Sequence, residues 1–207
     1  MEKKTEKILI LGGTFNPIHN GHVSLMLNTK KELSIEKGVL IPSYSPPHKT
    51  DGGLISCDHR FNMCRLAAEE NGFFVSDIEI LRKEKSYTID TLNELKNQKP
   101  DTEIFFLCGA DMFLTLLKWY DYENLKKLAV FCTAPRGENS YETVLKHKET
   151  IENSGGQAVV FDFPVLDISS TMIRKKIQNG EDVSEFVPRN VEKYIYENKL
   201  YNVFRKV

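Results

Sequence analysis

The sequence has no apolar run near the ~20 residues that would span a bilayer, which excludes a helical membrane protein. Its opening, Met1 to Lys7, is charged and leads straight into a short apolar segment in place of a signal peptide. Cysteine is scarce. Cys57, Cys64, Cys108 and Cys132 form no C-x-x-C pair and have no zinc-site spacing, which excludes a disulfide scaffold and points to a reducing compartment, the cytoplasm. An excess of positive charge is also missing: 28 Lys+Arg stand against 29 Asp+Glu, a formal net charge of −1. That balance argues against a nucleic-acid surface, although a few well-placed cations can still serve a nucleotide pocket. Neither G-x-G-x-x-G nor G-x-x-x-x-G-K-[ST] occurs, so hydride transfer on a standard dinucleotide turn and P-loop hydrolysis lose support. Repeats and low-complexity tracts are absent, and nothing in the composition decides for or against a homo-oligomer.

What is present is an alternation of short apolar runs and helical spacing over 207 residues, 41% of them hydrophobic. Residues 8–11, 39–41, 104–108, 129–132 and 158–161 read as buried strands, and 73–80 reads as extended. Helical spacing fits the residues after His22, then 58–71 with Phe61, Cys64, Leu66 and Ala67 as its apolar stripe. It also fits 86–96, two short helices within 112–127, 141–153, and two helices that close the chain. Residues 43–57, rich in Ser, Pro and Gly, read as a long loop of the kind that usually carries function. This order predicts an α/β fold, a doubly wound Rossmann-like parallel sheet with helices on both faces. A single domain is expected over 1–207, including the helices from about residue 168. Such sheets bind ligands beyond the carboxyl ends of their strands, so the turns after strands are where chemistry is expected.

The first of those turns reads Gly12-Gly13-Thr14-Phe15-Asn16-Pro17-Ile18-His19-Asn20-Gly21-His22. Gly12 and Gly13 allow close backbone approach, and the helix that follows aims free N–H groups at an anion. His19 and His22, three apart, can share one face. Both rings can donate hydrogen bonds, and protonation would add charge where a transferring phosphoryl group accumulates it. A glycine pair also suits a plain strand-end turn, and two histidines could begin a metal site, but no third ligand stands at a convincing spacing.

This string resembles the signature of the nucleotidylyltransferase superfamily, its H-x-G-H element being His19-Asn20-Gly21-His22. Four further segments are similar to motifs of bacterial nicotinate-nucleotide adenylyltransferases: Pro46-Pro47-His48-Lys49, Ser86 to Thr91, Gly109-Ala110-Asp111 followed by Trp119, and Ile168 to Arg174. Taken singly, most of these residues have structural explanations. Ser86, Thr88, Ser169 and Ser170 are ordinary helix caps, and the single tryptophan is ordinary core. Two departures stand out: Asn16 replaces the family's more frequent aspartate, and Pro135-Arg136-Gly137 replaces Arg-Pro-Gly, which puts a substrate role for Arg136 in doubt.

The resemblance implies adenylyl transfer from ATP to nicotinate mononucleotide, giving deamido-NAD and pyrophosphate. His19, His22, Lys49 and Arg174 would neutralise the triphosphate. Gly12, Gly13, Thr14 and Phe15 would contact ATP through backbone, and Ser169, Ser170 and Thr171 would support its phosphates. Thr88, Gly109, Asp111 and Trp119 would hold the nicotinate nucleotide. Magnesium is expected on the phosphates of ATP, because the sequence offers no carboxylate cage. The alternatives are a preference for nicotinamide mononucleotide or phosphopantetheine, and a nucleotide sensor without turnover.

Overall fold

The computed structural model describes residues 5–46, 53–137 and 140–201. Six strands form one sheet in which every pairing is parallel: β1 (Lys7–Gly13), β2 (Lys37–Pro42), β3 (Phe74–Val75), β4 (Glu103–Leu107), β5 (Val130–Thr133) and β6 (Gln157–Val160). Their order across the sheet is β3-β2-β1-β4-β5-β6. The chain therefore winds outward from β1 on one side, then returns to place β4 on its other side. This reversal opens a crevice beyond the carboxyl ends of β1 and β4, where the Gly12-Gly13 and Cys108-Gly109 turns meet.

Alternation along β1 divides the interior in two. Leu9 and Leu11 face a core filled by α1 (Asn20–Leu33), α2 (Cys57–Asn71), α8 (Ser170–Gln178) and α9 (Arg189–Glu197). Ile8 and Ile10 face the opposite core, filled by α3 (Ile78–Arg82), α4 (Thr88–Gln98), α5 (Ala110–Phe113), α6 (Tyr122–Leu125) and α7 (Tyr141–Asn153). The two closing helices thus bury Ile173, Ile177, Val191 and Ile195 in the same core as β1. Among the described residues no helix is long and apolar enough to cross a membrane.

Three expectations need correction. The predicted extended stretch 73–80 pairs only as Val39 with Phe74 and Leu40 with Val75, and then turns helical at Ile78. The predicted stripe of α2 is displaced: Arg60, Met63, Cys64, Ala67 and Ala68 are buried, while Phe61 and Leu66 are half-buried. The loop also ends sooner than expected, because Ser56 caps α2 by accepting from the His59 N–H. Within it, Pro47, His48 and Lys49 lie outside the described residues.

Candidate active site

The first turn is shaped by what its glycines leave out. A Cβ on Gly12 would lie 3.1 Å from the Phe106 ring, and one on Gly13 would lie 3.0 Å from the Phe15 ring. The pair therefore makes room for two aromatic rings as well as for a ligand. Phe15 has φ 48° and is 2% exposed, so its ring belongs to the core, and it is not among the residues facing the crevice. It instead packs edge-to-face with His22, at 5.1 Å between centroids.

His19 occupies the N-cap of α1 in extended conformation, and its carbonyl accepts from the N–H groups of His22 and Val23. The two imidazoles stack 3.6 Å apart, and the His19 N–H donates to His22 Nδ1 at 3.3 Å. The glycine of H-x-G-H is explained by the same stack. A Cβ on Gly21 would meet His19 Nδ1 at 3.0 Å and the Leu166 carbonyl at 3.3 Å.

Burial, with the nearby Arg136 guanidinium, pushes the His19 imidazole down to about 3. At neutral pH, before any phosphate binds, this ring is uncharged and can act as a hydrogen-bond donor. The unfolded chain, with an ordinary value near 6.5, binds more protons than the folded one between pH 6.5 and about 3. Stability is therefore lost on acidification through that window, by up to about 1.4 kcal/mol per pH unit. Thermal melts of wild type and His19→Asn are expected to show a melting-temperature difference that changes below pH 6.5 and is flat above pH 7.

Arg174 departs from its expected direction. From α8 it donates to the Asn16 carbonyl at 2.8 Å and to Thr171 Oγ1 at 3.2 Å, bracing the turn from behind without facing the crevice. Asn16 is buried there as well. Its amide donates to the Gly53 carbonyl at 3.0 Å, and its Oδ1 accepts from Tyr201 at 3.0 Å. Ser169 caps α8 by accepting from the Met172 N–H, and Ser170 donates to the Pro17 carbonyl at 2.8 Å. These bonds bind the start of α8 to the first turn.

A cavity of about 480 Å³ joins the separate motifs. On one side it is walled by Gly12, Gly13, Thr14, His19 and His22, with Ser169, Ser170 and Thr171 beside them. The other side carries Thr88, Gly109, Asp111 and Trp119. Trp119 is half-buried, T-shaped against Phe106 at 5.9 Å between centroids, with its Nε1 donating to Thr115. Thr88 begins α4, whose N-terminus has no side-chain cap and so presents backbone N–H groups at the wall.

The doubted Arg136 also reaches this cavity. It donates to the Ile168 carbonyl at 3.0 Å and lies 3.6 Å from the Asp111 carboxylate, so it bridges the two halves. Two residues went unnoticed in the sequence. Glu79 is a buried carboxyl in the wall, and Arg60 is a buried guanidinium that donates to the Thr14 carbonyl. Neither stands in a recognisable motif: Arg60 falls in a predicted helix and Glu79 in a stretch predicted to be extended, and spacing alone gives neither one a sign of facing inward. Among the described residues no group of three or more His, Cys, Asp or Glu side chains is placed to hold a metal ion.

Residues 10–176 match the cytidylyltransferase-like family. A protein of Clostridium tetani named probable nicotinate-nucleotide adenylyltransferase is 35% identical over 97% of both chains. One of the same name from Clostridium botulinum is 39% identical over 93% of this chain and 96% of the relative. Among solved structures, the nicotinic acid mononucleotide adenylyltransferase of Plasmodium falciparum complexed with NaAD superposes with a TM-score of 0.79 at 22% identity. It covers 96% of this chain and 98% of that one, a likeness of fold.

Proposed function

The chain belongs to the cytidylyltransferase-like family and, with the Clostridium proteins, to the nicotinate-nucleotide adenylyltransferases, and on that premise we propose that it makes a pyridine dinucleotide from ATP and nicotinate mononucleotide. One observation carries this reading. A single cavity at the sheet's switch point takes in residues from four motifs that lie far apart in the chain.

In this reading an oxygen of the acceptor's phosphate attacks the α-phosphorus of ATP, the bond to the β-phosphate oxygen breaks, and pyrophosphate leaves. The nucleophile is already anionic, so the protein needs no base and no covalent intermediate. Its work is positioning and charge stabilisation. Gly12, Gly13 and Thr14 lie against ATP through backbone, and His19 and His22 offer ring donors to its phosphates. Thr171 and Arg136 complete that side. Arg174 acts by fixing the turn, and Lys49, from the segment beyond the described residues, adds a cation. Magnesium belongs to this reading as an ion carried by the phosphates, where it would offset their charge. The cytoplasm is the proposed setting, and four free cysteines support it.

The acceptor ring lies on Trp119, its carboxylate at the N–H groups that begin α4. A carboxylate suits donors alone, whereas a carboxamide brings N–H groups of its own to the same place. Pyrophosphate release measured with ATP and each acceptor in turn tests the reading. Turnover is expected with nicotinate mononucleotide well ahead of nicotinamide mononucleotide and phosphopantetheine. Turnover with phosphopantetheine alone, or with none, would overturn it. Trp119→Ala is expected to raise KM for the mononucleotide about tenfold, the loss of one aromatic stacking contact and its buried area. An unchanged KM would reduce Trp119 to a core residue.

A further inference from the structure

Two acidic residues line the cavity, and they are built differently. Asp111 is exposed and faces Arg136. Glu79, from α3, is 7% exposed and belongs to none of the motifs in the sequence. A buried carboxylate is costly unless its neighbours satisfy it, and here they do so in a directed way. The Thr91 hydroxyl donates to Glu79 Oε1 at 2.7 Å, while its oxygen accepts from Arg82 Nη2 at 3.1 Å. The arginine thus directs the threonine proton toward the carboxylate. The Ser86 oxygen accepts from the Tyr44 N–H at 2.9 Å. Burial raises the Glu79 carboxyl above the usual range, and hydrogen bonding from Ser86 and Thr91 opposes the rise.

Ser86 and Thr91 flank the start of α4 on both sides, two residues before Thr88 and three after it. A second tie holds the same place, since the Ser86 N–H donates to the Ser45 carbonyl at 2.9 Å. Moving Glu79 therefore moves the uncapped N-terminus and its free N–H groups. We propose that Glu79 is a positioning residue for the acceptor nucleotide: through Thr91 it sets the first turn of α4, and with it Thr88, against the acid group of the acceptor's ring. This rests on the reading of the cavity as an adenylyl-transfer site.

Steady-state kinetics of the full chain with ATP and nicotinate mononucleotide test it, using Glu79→Ala, Glu79→Gln and Thr91→Val. Glu79→Ala is expected to raise KM for the mononucleotide about tenfold, one charge-assisted hydrogen-bonding site lost. KM for ATP and kcat at saturating acceptor stay within about threefold. Glu79→Gln recovers part of the loss, because its amide oxygen still accepts from Thr91, and Thr91→Val moves KM in the same direction. If Glu79→Ala does not fold, the other two variants give the same readout. An unchanged acceptor KM in a folded variant overturns the proposal. So does a parallel rise of both KM values with a lower Tm, which marks general loosening. Wild-type protein inert toward nicotinate mononucleotide would instead overturn the function, whatever the variants do.

Discussion

His22→Ala is expected to lower kcat about a hundredfold while the protein keeps its fold. The ring is held from two directions, by the stack on His19 at 3.6 Å and by an edge-to-face contact with Phe15. Its Nδ1 accepts from the His19 N–H, so in the neutral ring the proton sits on Nε2, which becomes the donor. A donor fixed in place before the reaction pays no reorganisation cost when negative charge shifts toward the leaving pyrophosphate. Loss of one such group typically costs about 10²–10³ in kcat. The fold should survive because the first turn of α1 is closed by backbone bonds to the His19 carbonyl, which do not involve the His22 ring. Pyrophosphate release at saturating ATP and acceptor, with a thermal melt of the same sample, checks both halves of the expectation. A kcat within about threefold of wild type would remove His22 from the chemistry.

The parallel strands were legible because each is a short apolar run followed by a turn, and their carboxyl ends mark the crevice by topology alone. The residues that line it were found where a motif names them: Gly12, Gly13, His19, His22, Thr88, Trp119 and Ser169 all face the cavity. What spacing could not supply was direction. Arg174 stands four residues after Ser170, and that places it on a face without saying which acceptor it meets. Its acceptors are the Asn16 carbonyl and Thr171. Ile78-Glu79-Ile80 alternates like a strand, yet only two residues of this stretch find a partner at the sheet edge, and the rest coils into α3. Arg60 is harder still, because its partners are backbone carbonyls. Carbonyls carry no residue type for a sequence reading to recognise.

That same Arg60 supports the largest stability effect expected in the molecule. It is 1% exposed, and burial lowers its pKa. The guanidinium donates to the carbonyls of Ile55 at 3.3 Å, Thr14 at 2.9 Å, Tyr44 at 3.0 Å, and Ser43. Sheet pairing of β1 with β2 ends at Gly13 and Pro42. The Thr14, Ser43 and Tyr44 carbonyls lie past that last pair, where the guanidinium meets them. One planar fork of donors serves them together, which a lysine ammonium cannot do from a single point. Arg60→Met keeps much of the apolar stem while withdrawing every donor. Each carbonyl left without a partner costs about 1–3 kcal/mol where water cannot reach it. The expected loss is about 3–5 kcal/mol, a large part of the ~5–15 kcal/mol that holds a domain together. Urea unfolding measures it, and a loss under about 1 kcal/mol would show that water or rearrangement satisfies those carbonyls. Arg60→Lys should fall between and remain foldable. Because Thr14 and Ser43 both line the cavity, that variant should also bind ATP more weakly, with a raised KM for ATP.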